Sequence, residues 1–126
     1  MGKETPVLNW YAKESRLTTS LVDQLNEGHK AFSTIRRGNK WADRLNPDET
    51  VAISISDDPN FPNVVGYAIV LRVIKTNISI LSEENLRNNI GAKNKHQVVE
   101  DMRAAYQDNM INEYSLISVI ELLPIN

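Results

Sequence analysis

At 126 residues and a formal net charge of −2, the chain has the length of one domain with a single core. Apolar residues make up 41 %, which excludes a disordered polymer, and no run approaches the roughly 18 to 20 apolar residues of a membrane helix. Cysteine is absent, which excludes disulfides, thiolate metal sites and cysteine nucleophiles.

Met1 to Pro6 carries neither an apolar stretch nor a cleavage site, so it reads as no secretory leader, and a cytoplasmic protein without a membrane partner is expected. Val7 to Tyr11 reads as a short strand or ordered arm. Residues 1–16 are therefore expected to pack on a domain formed by 17–126. Thr18, Thr19 and Ser20 offer N-caps for a helix to about Glu27, with Leu17, Leu21, Val22 and Leu25 as its buried stripe. Gly28 is its natural stop.

Ala31 to Arg36 alternates as a strand does, with Phe32, Thr34 and Arg36 on one side and Ala31, Ser33 and Ile35 on the other. Gly38-Asn39 and Asn46-Pro47-Asp48 are turn signals. Thr50 to Ser56 alternates cleanly, Asp57 to Asn63 reads as a loop, and Val64 to Ile74 as a long buried strand. Asn77 to Leu81 is expected to continue the sheet after a bend. Ser82 caps a short helix over 83–89, with Glu83 and Glu84 where the helix dipole favours them. Asn94 and Gln97 have capping-box spacing ahead of a helix that buries Val98, Val99, Met102 and Tyr106. Tyr114 to Leu123 is the last strand, ended by Pro124. Strands and helices do not alternate strictly, so the expected class is α+β, built on a small, mostly antiparallel barrel with flanking helices.

Charge is unevenly spread. Residues 30–44 are net +4, residues 1–29 net −1 and residues 45–126 net −5. A local basic segment on an acidic chain points to one anionic ligand at one site. Lys30, Arg36, Arg37, Lys40 and Arg44 suit phosphates, Trp41 or Trp10 and Tyr11 suit stacking on an unpaired base, and Ser33 and Thr34 suit hydrogen bonds to a base edge or sugar. The bland alternative is that the arginines pair with carboxylates and the tryptophans serve the core. His29 and His96 read as solvent-exposed. Asp57-Asp58 and Glu83-Glu84 read as a polar loop and a helix start, so no metal site and no cofactor is expected.

Gly28-x-Lys30 followed by Thr34-Ile35-Arg36 resembles the Gly-x-Lys…Thr-x-Arg signature of ASCH domains, members of the PUA-like superfamily. Asn46-Pro47-Asp48-Glu49-Thr50-Val51-Ala52-Ile53 resembles the family's Gly-Asp-x-Val-x-Ile turn and strand, with Pro47 where Gly is usual. Val65-Gly66-Tyr67-Ala68-Ile69-Val70 resembles its Gly-x-Ala-x-Val strand. The late helix with Tyr106, then Ser118 to Leu122, resembles its closing elements. The resemblance spans roughly residues 17–123. It implies a PUA-like barrel with a cleft lined by the first motif, RNA binding, and in some members hydrolysis of N4-acetylcytidine by a lysine, a threonine and a glutamate.

Carried over by position, the lysine is Lys30, the arginine Arg36, and the threonine Thr34, or Ser33 when counted from the lysine. Three residues separate Lys30 from Thr34, against two in the amidohydrolases. Where those enzymes hold the glutamate, this chain reads Asn88-Asn89-Ile90-Gly91-Ala92, without an acid. The leading expectation is thus a catalytically divergent module that binds RNA or a modified nucleotide through Lys30, Ser33, Thr34, Arg36, Arg37, Lys40, Trp41 and Arg44. The alternatives are an amidohydrolase using Lys30 and Thr34, and a phage or mobile-element adaptor that engages a protein partner.

Overall fold

The computed structural model describes residues 5–125. Strand β1 (Val7–Trp10) leads into helix α1 (Ser15–Glu27), strand β2 (Phe32–Arg37) and the short helix α2 (Lys40–Arg44). Strands β3 (Thr50–Ile55) and β4 (Val64–Asn77) follow, then a 3₁₀ turn at Ile78–Ile80, helices α3 (Glu83–Arg87) and α4 (Lys95–Tyr106), and strand β5 (Leu116–Ile125). The chain is α+β, with one five-stranded sheet in the order β1-β3-β4-β5-β2. Among the strand pairs of the described residues only β1–β3 is parallel. The hydrogen-bonded sheet is open, with β1 and β2 at its edges. Among the described residues no helix is long and apolar enough to cross a membrane.

The helix boundaries follow local chemistry. The first helix starts at Ser15 after Glu14, ahead of the expected caps, and Thr18 instead bonds back to the Ser15 carbonyl at 3.1 Å. Gly28 ends it at φ 74°, where its N–H donates to the Gln24 carbonyl. Ser82 and Asn85 form a reciprocal capping box on α3. Asn94 caps α4 by accepting from the Gln97 N–H at 2.9 Å, but Gln97 turns its amide to Asp101, so the reciprocal half is missing. Four further expectations change. The strand expected to be buried, β4, buries only Ala68 and Val70 and leaves Val64, Val65, Tyr67 and Leu71 exposed; Val22 of α1 is exposed; Asn77 to Leu81 forms a 3₁₀ turn rather than extending the sheet; and the last strand runs from Leu116 through Pro124 to Ile125. Lys40 to Arg44, to which the sequence pattern assigns no element, is helical. β2 pairs only with residues 117–122 of β5, so Pro124 lies beyond that ladder and pairs on one side only, with Ala68 of β4.

The two sheet faces bury different clusters. On the inner face, Leu8, Trp10, Phe32, Val51, Ile53, Ala68, Val70, Ile120 and Leu122 pack under Leu21 and Leu25 of α1. On the outer face, Ile117 and Val119 pack against Leu86 of α3 and Val98 and Met102 of α4. Tyr106 is not buried with them and stays exposed. A bulge at Leu71 falls between the pairs Val70↔Leu122 and Arg72↔Glu121. One extra residue reverses the facing of everything beyond it. Val73 therefore joins the inner core and Ile74 the outer one, although Ala68 and Val70 point inward before the bulge.

Candidate functional site

Strand β2 alternates as its sequence pattern implies. Phe32, Thr34 and Arg36 pair with Leu122, Ile120 and Ser118, and Phe32 joins the inner core. Ser33, Ile35 and Arg37 pair with Glu121, Val119 and Ile117, and Ile35 packs on the outer core. The eight residues expected to form one ligand face are thus divided among separate places.

The outer face holds a cleft of about 150 Å³ between β2 and α3. Ala31, Phe32, Ser33, Arg72, Glu84, Asn85, Asn88 and Glu121 line it. Ser33, Glu121 and Arg72 form one row across β2, β5 and β4, and the Leu71 bulge is what turns Arg72 to this side. Arg72 grips Glu121 through two hydrogen bonds, Nε at 2.8 Å and Nη2 at 2.9 Å. Those bonds raise the pKa of Arg72 above its ordinary value. Ser33 is buried and donates to the Asn85 carbonyl at 3.3 Å. Its backbone ties the strand to the loop after α3, with N–H donating to the Asn88 carbonyl at 2.9 Å and C=O accepting from Ile90 at 2.8 Å. Glu84 lines the exposed side of the cleft, and among the described residues no cation forms a salt bridge with it.

Two lysines flank this cleft. Lys30 sits exposed in the bend just before Ala31. Lys93 donates to the carbonyls of Arg87 at 3.0 Å and Asn89 at 2.5 Å, which satisfies the C-terminal end of α3. Desolvation lowers the Lys93 pKa, and the nearby charge of Lys30 lowers it further. Asn89 occupies the stretch where the amidohydrolases have their glutamate. Its amide donates to the Ala92 carbonyl, while its Oδ1 is buried without a partner among the described residues.

Thr34 and Arg36 lie on the opposite face. The Thr34 hydroxyl accepts from Arg36 Nε at 3.2 Å, and Arg36 Nη1 donates to the Asn9 carbonyl at 3.0 Å. Arg36 thereby bridges the two edges of the open sheet. Its guanidinium lies 4.5 Å from the Trp10 ring centroid. Burial lowers its pKa, with the phenols of Tyr106 and Tyr11 opposing the shift. Lys30 and Thr34 share no hydrogen bond, so the lysine–threonine unit of the resemblance does not assemble here. The extra residue between them places Thr34 on the inner face. Counting from the lysine gives Ser33, which does reach the cleft.

The remaining residues are engaged elsewhere. Arg37 pairs with Asp108 at 2.6 Å, and its backbone N–H donates to the Tyr106 hydroxyl at 3.1 Å. This is the carboxylate pairing that the bland reading anticipates. Trp41 packs partly buried against the inner core with Arg44 over its ring at 5.2 Å, and Lys40 is exposed on the same short helix. Glu121, Arg72, Asn85 and Asn88 are cleft residues that sequence reasoning missed, and Glu84, read only as a helix start, is a fifth. They are separated from Ser33 by 39 to 88 positions, and only register and the bulge bring them together. No family model, curated protein or solved structure matches this chain.

Proposed function

We propose that this protein is a PUA-like, ASCH-type module that binds RNA or a modified nucleotide without catalysing its conversion. The observation that carries the reading is the β2–α3 cleft, where Ser33, Glu84, Asn85 and Asn88 offer donors and acceptors of the kind that read a base edge, beside Lys30 and Lys93. A volume of about 150 Å³ suits one ring and leaves the rest of the ligand on the surface. Unpaired bases are read on their exposed edges, and lysines beside them neutralise phosphate. The Arg36 bridge between the sheet edges also supports a barrel-like scaffold, because it draws β1 towards β2 without a ladder.

The test is binding of free ribonucleosides and of short single-stranded RNA at low and moderate salt. Glu84→Gln is expected to weaken nucleoside binding about tenfold or more, as loss of a charge-assisted hydrogen bond does. Lys30→Ala is expected to weaken RNA and reduce its salt dependence while leaving nucleoside binding intact. A folded protein that binds neither ligand overturns the reading.

One observation favours the amidohydrolase as a second reading: Ser33 and Glu84 share the cleft, which supplies an acid near the position that the resemblance gives to the threonine. Release of cytidine from N4-acetylcytidine, abolished by Glu84→Gln, would establish that reading instead of a binding module.

A further inference from the structure

Arg36 poses a separate question from the cleft, because it points to the other side of β2. Its three guanidinium nitrogens are unequally served. Nε has Thr34 and Nη1 has the Asn9 carbonyl, while Nη2 is buried with no hydrogen-bond partner among the described residues. Among the described residues no carboxylate forms a salt bridge with it. A charge withdrawn from water is ordinarily paired, since its desolvation is otherwise uncompensated. The neighbouring Arg37 follows that rule through Asp108, which makes the unpaired state of Arg36 the informative one.

We propose that Arg36 anchors a second binding site, at the seam between β1 and β2, for a single oxyanion of the phosphate type. The planar guanidinium matches two oxygens of such an anion, and Trp10, Thr34 and Asn9 already fix its plane. The Tyr106 hydroxyl lies beside the next residue of β2, Arg37. Its oxygen accepts from the Arg37 N–H, which leaves its hydroxyl proton free to bond. Arg36 as a residue is partly exposed, so the seam has an outlet to solvent. Nη2 itself is screened, so the site requires β1 to part from β2 where Asn9 meets Arg36; β1 is four residues long and pairs in the sheet with β3 alone, while Leu8 and Trp10 hold it in the inner core.

Trp10 is a built-in reporter, because the chain has two tryptophans and Trp41→Phe leaves it alone. Inorganic phosphate is titrated into that variant against chloride at matched ionic strength, following Trp10 emission. A saturable phosphate-specific change is expected. Arg36→Gln in the same background should weaken it about tenfold or more, as removal of a charge-assisted contact does. Arg36→Lys keeps the charge and loses the fork, so it should show intermediate binding and serves as the probe if Arg36→Gln does not fold. Cytidine 5′-monophosphate in place of phosphate separates the sources. A response to it extends the site to phosphate esters, and a response to inorganic phosphate alone assigns a free anion. Equal responses to phosphate and chloride, or an unchanged phosphate response in the folded Arg36 variants, overturn the proposal. Nucleoside binding at the Ser33–Glu84 cleft is read independently, so either conclusion can fail without the other.

Discussion

Thr34→Val tests the division of β2 into two faces. Thr34 is 4 % exposed, and its hydroxyl oxygen is the acceptor for Arg36 Nε at 3.2 Å. Valine keeps the branched shape and suits a strand, so the backbone has no reason to move. Loss of the oxygen strands a charged donor, which costs about 1.5–3 kcal/mol. The methyl that replaces it returns about 0.8 kcal/mol of apolar burial. The net expectation is a loss of about 1–2 kcal/mol, with a fall in Tm of roughly 3–5 °C per kcal/mol for a domain of 126 residues. Urea unfolding followed by far-UV circular dichroism measures the loss, and nucleoside binding by the same variant should be unchanged. Had Thr34 belonged to the ligand cleft, as its place in the motif implies, the pattern would be inverted. Lost nucleoside binding with stability within about 0.5 kcal/mol of the parent refutes the facing derived for β2.

Three other substitutions address the loops that follow β2 and α3. Gly38 and Gly91 both have positive φ, 75° and 113°, but an added Cβ meets nothing within 4 Å at Gly38 and lies 2.9 Å from Leu17 Cδ2 at Gly91. Gly38→Ala should therefore cost about 1–2 kcal/mol from backbone strain alone. Gly91→Ala should cost about 1–3 kcal/mol more because Leu17 must move. Equal losses in denaturant titrations would contradict the close packing of the loop after α3 on α1. Lys93 gives a pH signature. Its folded-state pKa is depressed by desolvation and by Lys30, so the unfolded chain binds its proton more tightly. Stability should rise as pH climbs from the folded pKa towards the ordinary lysine value, the direction opposite to that of a lysine stabilised by an acid. Lys93→Met should lack that rise, and parallel curves for parent and variant as pH approaches the ordinary lysine value would refute it.

Much of this fold was readable in the chain as local pattern. The period-two alternation of Ala31 to Arg36 assigns each side chain to the face it occupies. Gly28, Ser82 and Asn94 mark helix ends because each supplies a local fix for unpaired backbone groups. Glu83 and Glu84 fall in the first turn of α3 as expected. The first helix and the last strand escaped at their ends, where no side chain caps the one and Pro124 is unexpectedly compatible with the other. The basic segment was legible as charge but misleading as a site. Linear clustering placed Lys30, Arg36, Arg37 and Lys40 together, whereas a strand sends successive residues to opposite faces and a turn carries Lys40 onto a separate helix.

Composition, periodicity and capping chemistry, all of them local, were enough to determine an α+β domain and the identity of the strand from which both candidate sites are built. Tertiary structure alone decided what each face of that strand meets. Arg72 reaches the cleft only because Leu71 is bulged out of register, Glu121 faces Ser33 only because β5 lies between β4 and β2, and Arg36 meets Asn9 only because the two edges of the sheet approach each other. Those outcomes depend on register and sheet order, which arise from the packing of residues far apart in the chain and have no counterpart in any short stretch of it.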